Sequence, residues 1–302
     1  MKYGMKHDLS APILTYNPHT TRPALVLPAN ACDSHVHIFG PAAQFPYAAT
    51  RNFTPVDAGK ETLFALHKTL GISRCVIVQS VVHGFDNSAV EDAIEHGGGH
   101  YLGVALVTTS VSDAELKRLA SKGFKGVRFH FMNHLAVGSS IDEIVQFTHR
   151  LKAVGMHLQV HFESSMIHHI AAPLSKSAVP VVIDHMGRVD SALGVQHADF
   201  AALFELLKNP LFNVKVSGID RIDSNPASAT AFPPYPAGVA SAKVLVENYP
   251  DQCVWGTDFP HPNHTHVPND TALVEALSRI ACTQVLLDKL LVTNPERLYG
   301  FL

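Results

Sequence analysis

The sequence is poor in cysteine, and none of its cysteines lie close together. Cys32, Cys75, Cys253 and Cys282 are separated by long stretches of chain and form no C-x-x-C motif. This spacing argues against a disulfide framework and against a cysteine-rich zinc site. We therefore expect reduced thiols, as in a cytoplasmic protein.

Basic runs and long apolar runs are also missing. The net charge is −3 over 302 residues, so no cluster of cations is available to neutralise a phosphate backbone. The stretch from Met1 to Pro28 has no apolar run long enough for a signal peptide or a membrane span. These absences predict a cytoplasmic protein with neither nucleic acid nor a membrane as its partner.

Two catalytic signatures are absent as well. No G-x-G-x-x-G motif follows the first strand, and the glycines at 97–99 precede a strand, so they are expected in a turn. No G-x-S-x-G motif occurs, so a nucleophile-elbow serine is not expected. The sequence therefore favours neither a dinucleotide-binding enzyme nor a serine hydrolase.

What is present is a regular alternation of apolar strands and amphipathic helices. An apolar fraction of 46% with 16% charged residues is typical of a globular enzyme. The first strand ends at His35 and His37, and seven further strands are predicted at 75–79, 101–107, 126–131, 157–162, 179–184, 212–216 and 253–256. Eight βα units predict an α/β protein with a single closed (β/α)8 TIM barrel rather than an open doubly wound sheet. Residues 1–29, rich in Pro, Thr and Asn, are predicted to form an extended arm, and residues 30–302 the barrel.

His35 and His37 are the first candidate functional residues. Side chains alternate along a strand, so both imidazoles lie on one face, about 7 Å apart along the backbone. They can reach one metal ion or one substrate atom. A pair of hydrogen-bonded core histidines is the alternative, and for an isolated H-x-H motif it is the better interpretation.

Polar side chains end most of the other predicted strands, where a barrel enzyme places its active site. Any one of them alone is as consistent with a structural tie as with catalysis. Together they favour a catalytic site, and they are Ser80, Arg128, His130, His161, His185, Arg221 and Asp258.

Four segments resemble the amidohydrolase superfamily, and within it the group of 2-pyrone-4,6-dicarboxylate lactonases and 4-sulfomuconolactone hydrolases. They are the segments at 33–40, 127–129, 184–188 and 255–262, and the last reads W-G-T-D-F-P-H-P. The resemblance implies a hydrolase that opens an anionic, carboxylated or sulfonated lactone during the breakdown of aromatic compounds.

The resemblance also implies roles for these residues. Asp258 would take the proton from water, and His185, His35 and His37 would polarise the carbonyl directly or through a metal. Arg128 and Arg221 would hold the anionic group of the substrate. Further candidates for substrate binding are Ser80, His130, His134 and Arg51.

Three residues depart from the lactonase pattern. Phe53 and His134 stand where a substrate-binding tyrosine and a second arginine are expected, and His161 stands in place of a tyrosine of a metal-free enzyme. Because His161 restores the usual superfamily ligand set, we predict a divalent metal, with zinc favoured over manganese. The predicted ligands are His35, His37, His161 and Asp258. A metal-free mechanism, with His161 as a hydrogen-bond donor to the substrate, remains the alternative.

Two other functions are compatible with the same set of candidate residues. A metal-dependent decarboxylase of the same superfamily would use the same histidines and aspartate, with His185 as the proton carrier. A non-catalytic ligand-binding barrel is disfavoured because Asp258 and the histidines are all retained. A homo-oligomer is compatible with either function.

Overall fold

The computed structural model describes residues 9–132, 139–223, 225, 227–263 and 266–301. Eight parallel strands form one sheet in which each strand pairs with its neighbours in sequence order. The strands are β1 Cys32–Val36, β2 Arg74–Val78, β3 Tyr101–Leu106, β4 Phe124–Phe131, β5 His157–Phe162, β6 Val181–Ile183, β7 Phe212–Lys215 and β8 Cys253–Val254. The prediction of a (β/α)8 barrel is confirmed.

Helices cover the outside of the sheet. In chain order they are α1 Lys60–Leu70, α2 Ser88–His96, α3 Asp113–Ser121, α4 Ile141–Ala153, α5 Ile167–Leu174, α6 Ala198–Leu206, α7 Ile219–Ile222, α8 Pro236–Asn248, α9 Asp270–Glu275, α10 Leu277–Ile280, α11 Gln284–Asp288 and α12 Asn294–Tyr299. The last crossover helix, predicted over 271–281, corresponds to α9 and α10, which join through Ala276 in helical conformation. No helix among the described residues is long and apolar enough to cross a membrane.

The strands are largely buried because helices cover one face of the sheet and the barrel core fills the other. All five residues of β2 and all six of β3 are buried. Both strands therefore appear in the sequence as apolar runs without alternation.

Hydrogen bonds between the ends of β1 and β8 close the barrel. The Ser34 N–H donates to the Trp255 carbonyl and the Asp258 N–H to the His35 carbonyl, each at 2.8 Å. Gly256 permits this approach, since a Cβ there would lie 2.5 Å from the His35 nitrogen. The closure brings Asp258 beside the H-x-H motif.

The N-terminal arm lies along the outside of the barrel. Its described part, residues 9–29, contains no helix or regular strand, and its one isolated bridge joins Ile13 to Pro55. The Thr21 N–H donates to the Thr271 hydroxyl at 3.2 Å. The boundary between an arm and a barrel at residues 29 and 30 stays a prediction.

His157 lies within the β4–β5 layer, away from the polar end of the barrel. Its side chain is 3% exposed, and a Cβ on Gly126 would lie 2.4 Å from the imidazole. Burial lowers the pKa of His157 to about 3. The folded protein therefore binds fewer protons than the unfolded chain between pH 6.5 and pH 3, and stability falls as the pH falls through this window.

His157→Leu is expected to reduce this acid sensitivity. The difference in the free energy of unfolding between pH 7 and pH 5 should shrink by about 2 kcal/mol, because one histidine no longer takes up a proton on unfolding. Urea denaturation at both pH values, in chelator, measures the difference. His149→Leu, at an exposed position of α4, is the control and should leave it unchanged. An unchanged difference in His157→Leu would show that His157 contributes nothing to the acid sensitivity.

Candidate active site

A cavity that is partly open to solvent lies at the carboxyl end of the barrel strands. This is the end at which (β/α)8 enzymes bind their substrates. The lining residues are His37, Ser80, Val81, Arg128, His130, Met132, His161, His185, Arg188, Arg221, Asp258, Pro262 and Asn263.

Most of the residues predicted from strand ends therefore meet in one cavity. His35 lies directly beneath the lining, with its Nε2 3.3 Å from His37 Nε2. His134 lies outside the described residues. Arg51, within the described part of the chain, is not among the lining residues. Its Nε donates to the Thr54 hydroxyl at 2.9 Å and its Nη1 to the Ala48 carbonyl at 3.0 Å. The contact between Arg51 and a substrate stays a prediction.

The backbone conformation after β6 and β8 orients the polar side chains there toward the cavity. His185, Met186 and Arg188 have φ angles of 48°, 53° and 56°, and Asp258 has a φ of 68°. The left-handed region disfavours side chains, and residues held there are concentrated at functional sites. The turns place His185, Arg188 and Asp258 in the cavity lining.

Asp258 lies at the centre of the histidine cluster. Its Oδ1 is 3.4 Å from His37 Nε2, 3.6 Å from His35 Nε2 and 3.7 Å from His185 Nε2. Burial alone would raise the pKa of Asp258, but Arg221, paired with Oδ2, outweighs burial and holds the pKa well below its ordinary value. Asp258 is therefore ionised at neutral pH.

The Nδ1 atom of His37 faces a hydrogen-bond acceptor, whereas that of His35 lies beside both a carboxylate and the Lys215 ammonium. His37 Nδ1 lies 2.7 Å from the Val78 carbonyl, and His35 Nδ1 lies 3.2 Å from Asp184 Oδ1. An Nδ1–H donated to such a partner leaves a lone pair on Nε2, which is the arrangement found in metal-binding histidines. Burial lowers the pKa of both side chains, so both imidazoles are neutral.

His35, His37 and Asp258 could hold a divalent metal. Their three ligand atoms are 3.3, 3.4 and 3.6 Å apart. The centre of such a triangle is about 2 Å from each corner, which matches the Zn–N and Zn–O bond lengths. Asp258 Oδ1 is also buried, and it has no hydrogen-bond partner in the described part of the chain. The residues at this position therefore fit a metal ion. A second group of possible ligands is formed by His35, Asp184 and His185.

His161 belongs to neither group among the residues that the structure describes. Its Nδ1 lies 3.3 Å from His130 Nδ1, and its ring centroid is 5.4 Å from that of His185. Among the residues that the structure describes, none forms a hydrogen bond with His161 Nε2. A role as the fourth metal ligand stays a prediction.

Arg128 and Arg221 flank the cavity, and each is fixed through its Nε by a buried carboxylate. Arg128 Nε donates to Asp184 Oδ2 at 2.8 Å. Arg221 Nε donates to Asp258 Oδ2, and Arg221 Nη2 donates to the Pro262 carbonyl at 2.8 Å. Both guanidinium groups are thereby held in place beside the cavity.

A buried polar network beneath the cavity was not predicted. It joins Lys215 to Gln159, Asp184 and His35. Burial lowers the pKa of Lys215 to about 8. The sequence does contain a signal for this network, namely polar residues at every second position along β7 and just beyond it. These residues are Asn213, Lys215 and Ser217, and their spacing places them on one face. Ser217 Oγ lies 2.9 Å from His185 Nδ1.

Arg188 and Asn263 are further lining residues that the sequence analysis did not single out.

Comparisons with known proteins agree with this geometry. The model of an amidohydrolase family matches residues 32–301. The chain is 40% identical over 291 residues to a 2-pyrone-4,6-dicarboxylate hydrolase from Comamonas testosteroni, covering 95% of each protein. It is 36% identical over 300 residues to a 4-sulfomuconolactone hydrolase from Hydrogenophaga intermedia, covering 97% of this chain and 96% of that protein.

Solved structures share the fold. The crystal structure of a probable 2-pyrone-4,6-dicarboxylic acid hydrolase from Acinetobacter baumannii, with citric acid bound, superposes with a TM-score of 0.77 at 24% identity and covers 90% of this chain and 100% of that one. An amidohydrolase from Burkholderia multivorans with bound zinc superposes with a TM-score of 0.71 at 18% identity and covers 91% of this chain and 100% of that one.

Proposed function

The chain belongs to the amidohydrolase family, and from this we propose that it is a lactone hydrolase that opens an anionic lactone in the breakdown of aromatic compounds. The observation that carries the proposal is a buried, ionised Asp258 between three imidazoles, in a cavity that two fixed arginines flank. The names of the two curated relatives support the same reaction class.

Asp258 accepts the proton of the attacking water. Arg221 pairs with Oδ2, so Oδ1, which faces the histidines, is the oxygen that takes the proton. The O–H bond of water breaks while its oxygen forms a bond to the lactone carbonyl carbon. The ring C–O bond then breaks, and the ring oxygen takes up a proton that His185 passes on from Asp258. The second proton of the water stays on the new carboxylic acid and is released to solvent, so the product carries one more carboxylate than the substrate.

Other lining residues bind and orient the substrate. Arg128 and Arg221 hold its carboxylate or sulfonate through their remaining N–H groups, because guanidinium matches these anions in charge and geometry. Ser80, His130 and His161 also line the cavity and offer further hydrogen-bonding groups to the substrate. Donors that face the carbonyl oxygen stabilise the negative charge that develops there.

A divalent ion, zinc in our proposal, fits the His35, His37 and Asp258 group, with His161 as the predicted fourth ligand. When bound, the ion supplies Lewis acidity that lowers the pKa of water toward neutrality. The residues of the chain supply the rest: Val78 and Asp184 fix the ring orientation of His37 and His35.

Metal removal is therefore expected to lower activity. Purified wild-type protein should contain about one zinc per chain, and dialysis against a strong chelator should lower kcat by at least tenfold, because the pKa of the attacking water rises again. Elemental analysis measures the zinc content, and assays of the chelated protein before and after zinc is restored measure the change in kcat. His161→Tyr should bind zinc more weakly than wild type. Full activity of exhaustively chelated, metal-free protein would contradict the metal part of the proposal.

The lactonase proposal itself is tested with three substrates followed by ultraviolet absorbance. These are 2-pyrone-4,6-dicarboxylate, 4-sulfomuconolactone and an uncharged lactone, and turnover is expected for at least one anionic lactone. An α,β-unsaturated amino or keto acid, assayed for CO2 release, tests the decarboxylase alternative. Release of CO2 without hydrolysis of any lactone would replace the proposal.

We further propose the cytoplasm as the location. All four cysteines lie in the described part of the chain and are free thiols, and only Cys282 is exposed. Free thiols are typical of a reducing compartment. Assembly into a homo-oligomer stays a prediction.

A further inference from the structure

Lys215 is a fully buried lysine at the end of β7, and its side chain is 0% exposed. Its Nζ donates to Gln159 Oε1 at 2.8 Å and lies 3.5 Å from Asp184 Oδ1. An ammonium group in the interior requires several such partners, because its hydration is lost. The lactone hydrolysis described above makes no use of this group.

Asp184 already has a cationic partner without Lys215. Its Oδ2 accepts from Arg128 Nε at 2.8 Å and from Gln159 Nε2 at 3.1 Å. Lys215 is thus the second cation on one carboxylate, so Asp184 does not require it for neutralisation. The second cation leaves positive charge directly beneath the histidine cluster.

His35 is the residue that this charge contacts. Its Nδ1 lies 3.2 Å from Asp184 Oδ1 and 3.3 Å from Lys215 Nζ, so an acceptor and a donor compete for one ring nitrogen. When Nδ1–H donates to Asp184, Nε2 carries a lone pair and can bind a metal. When Lys215 donates to Nδ1, the ring proton moves to Nε2 and blocks metal binding.

We infer that Lys215 is a positioning residue that sets the affinity of the His35, His37 and Asp258 group for a divalent cation. It lowers this affinity in two ways: it favours the His35 tautomer that cannot bind a metal, and its charge repels the ion. The inference rests on the proposed metal site but not on the identity of the lactone. Zinc binding is measured without substrate, so a failed lactonase proposal and a failed Lys215 inference give different results.

The test is the zinc affinity of Lys215→Met, measured on the chelated full-length protein by competition with a chromophoric chelator. Methionine keeps most of the length of the side chain and removes both the charge and the donor. The dissociation constant for zinc is expected to fall on the order of tenfold to a hundredfold, the range over which partners of metal-ligating histidines act. Lys215→Gln, which keeps a donor without the charge, should show a smaller fall and serves if the methionine variant does not fold.

Gln159→Met is the matched control. It removes the closest acceptor of Lys215 but leaves the ammonium charge beside His35. If Lys215 were only a tie between β7 and β5, both variants would lose stability and neither would bind zinc more tightly. The inference is overturned if the folded Lys215 variants bind zinc no more tightly than wild type, or if neither they nor wild type bind it.

Discussion

Asp258→Asn is expected to lower kcat by ~10² to 10⁴, the usual effect of removing a general base. Asparagine keeps the shape of the side chain and an oxygen that can accept from Arg221, but it has no charge and cannot take a proton from water. Initial rates with an anionic lactone measure the loss. Circular dichroism at the assay temperature establishes that the variant is folded.

Asp199→Asn provides the comparison for this result. Asp199 is also largely buried and hydrogen-bonded, accepting from the Ser164 hydroxyl at 2.6 Å and lying 2.8 Å from His168 Nε2. It is not among the residues that line the cavity, so kcat should stay within a factor of two or so of wild type, as for most substitutions outside a site. If Asp258→Asn retained near-wild-type turnover, Asp258 would not be the base.

The fold could be predicted because the same pattern, an apolar strand followed by an amphipathic helix, recurs along the sequence. β2 and β3 are apolar runs without alternation, which is typical of a parallel strand covered on both faces. Details that depend on tertiary contacts could not be predicted in this way. β6 has only three residues, Val181–Ile183, because the chain turns at once into left-handed conformations that no propensity indicates.

The cavity lining was predictable to the extent that it comes from strand ends. Parallel strands bring their carboxyl ends together, so His37, His185 and Asp258 could be grouped without any structure. Lys215 was missed because it lies beneath the residues that line the cavity. A single lysine in an otherwise apolar strand gives no indication in the sequence that it belongs to the site. The hydrogen bonds of the Arg51 guanidinium within its own loop could not be predicted either. Local tethering of this kind depends on loop conformation, which sequence spacing does not fix.

Arg128→Met and Arg221→Met are expected to raise KM for a carboxylated lactone far more than for an uncharged lactone. Loss of one partner of a buried, charge-assisted contact typically amounts to about 2–5 kcal/mol, or roughly 30-fold to several thousand-fold in KM. Methionine approximates the volume of the arginine stem, so packing changes little. Arg74→Met is the control, since Arg74 is 8% exposed and pairs with Glu296, away from the cavity lining. Equal effects on charged and uncharged lactones would show that both arginines are structural ties.

The two arginine variants should differ from each other in their pH dependence. Arg221 is the principal group that lowers the pKa of Asp258, whereas Arg128 pairs with Asp184. Removing Arg221 therefore raises the pKa of Asp258, so its carboxylate becomes protonated at a higher pH than in wild type. Because turnover requires the ionised carboxylate, the acidic limb of the kcat profile should move to higher pH in Arg221→Met and stay in place in Arg128→Met. A shift of equal size in both variants would mean that the charge of the whole cavity, rather than the pairing of Arg221 with Asp258, controls the ionisation of the base.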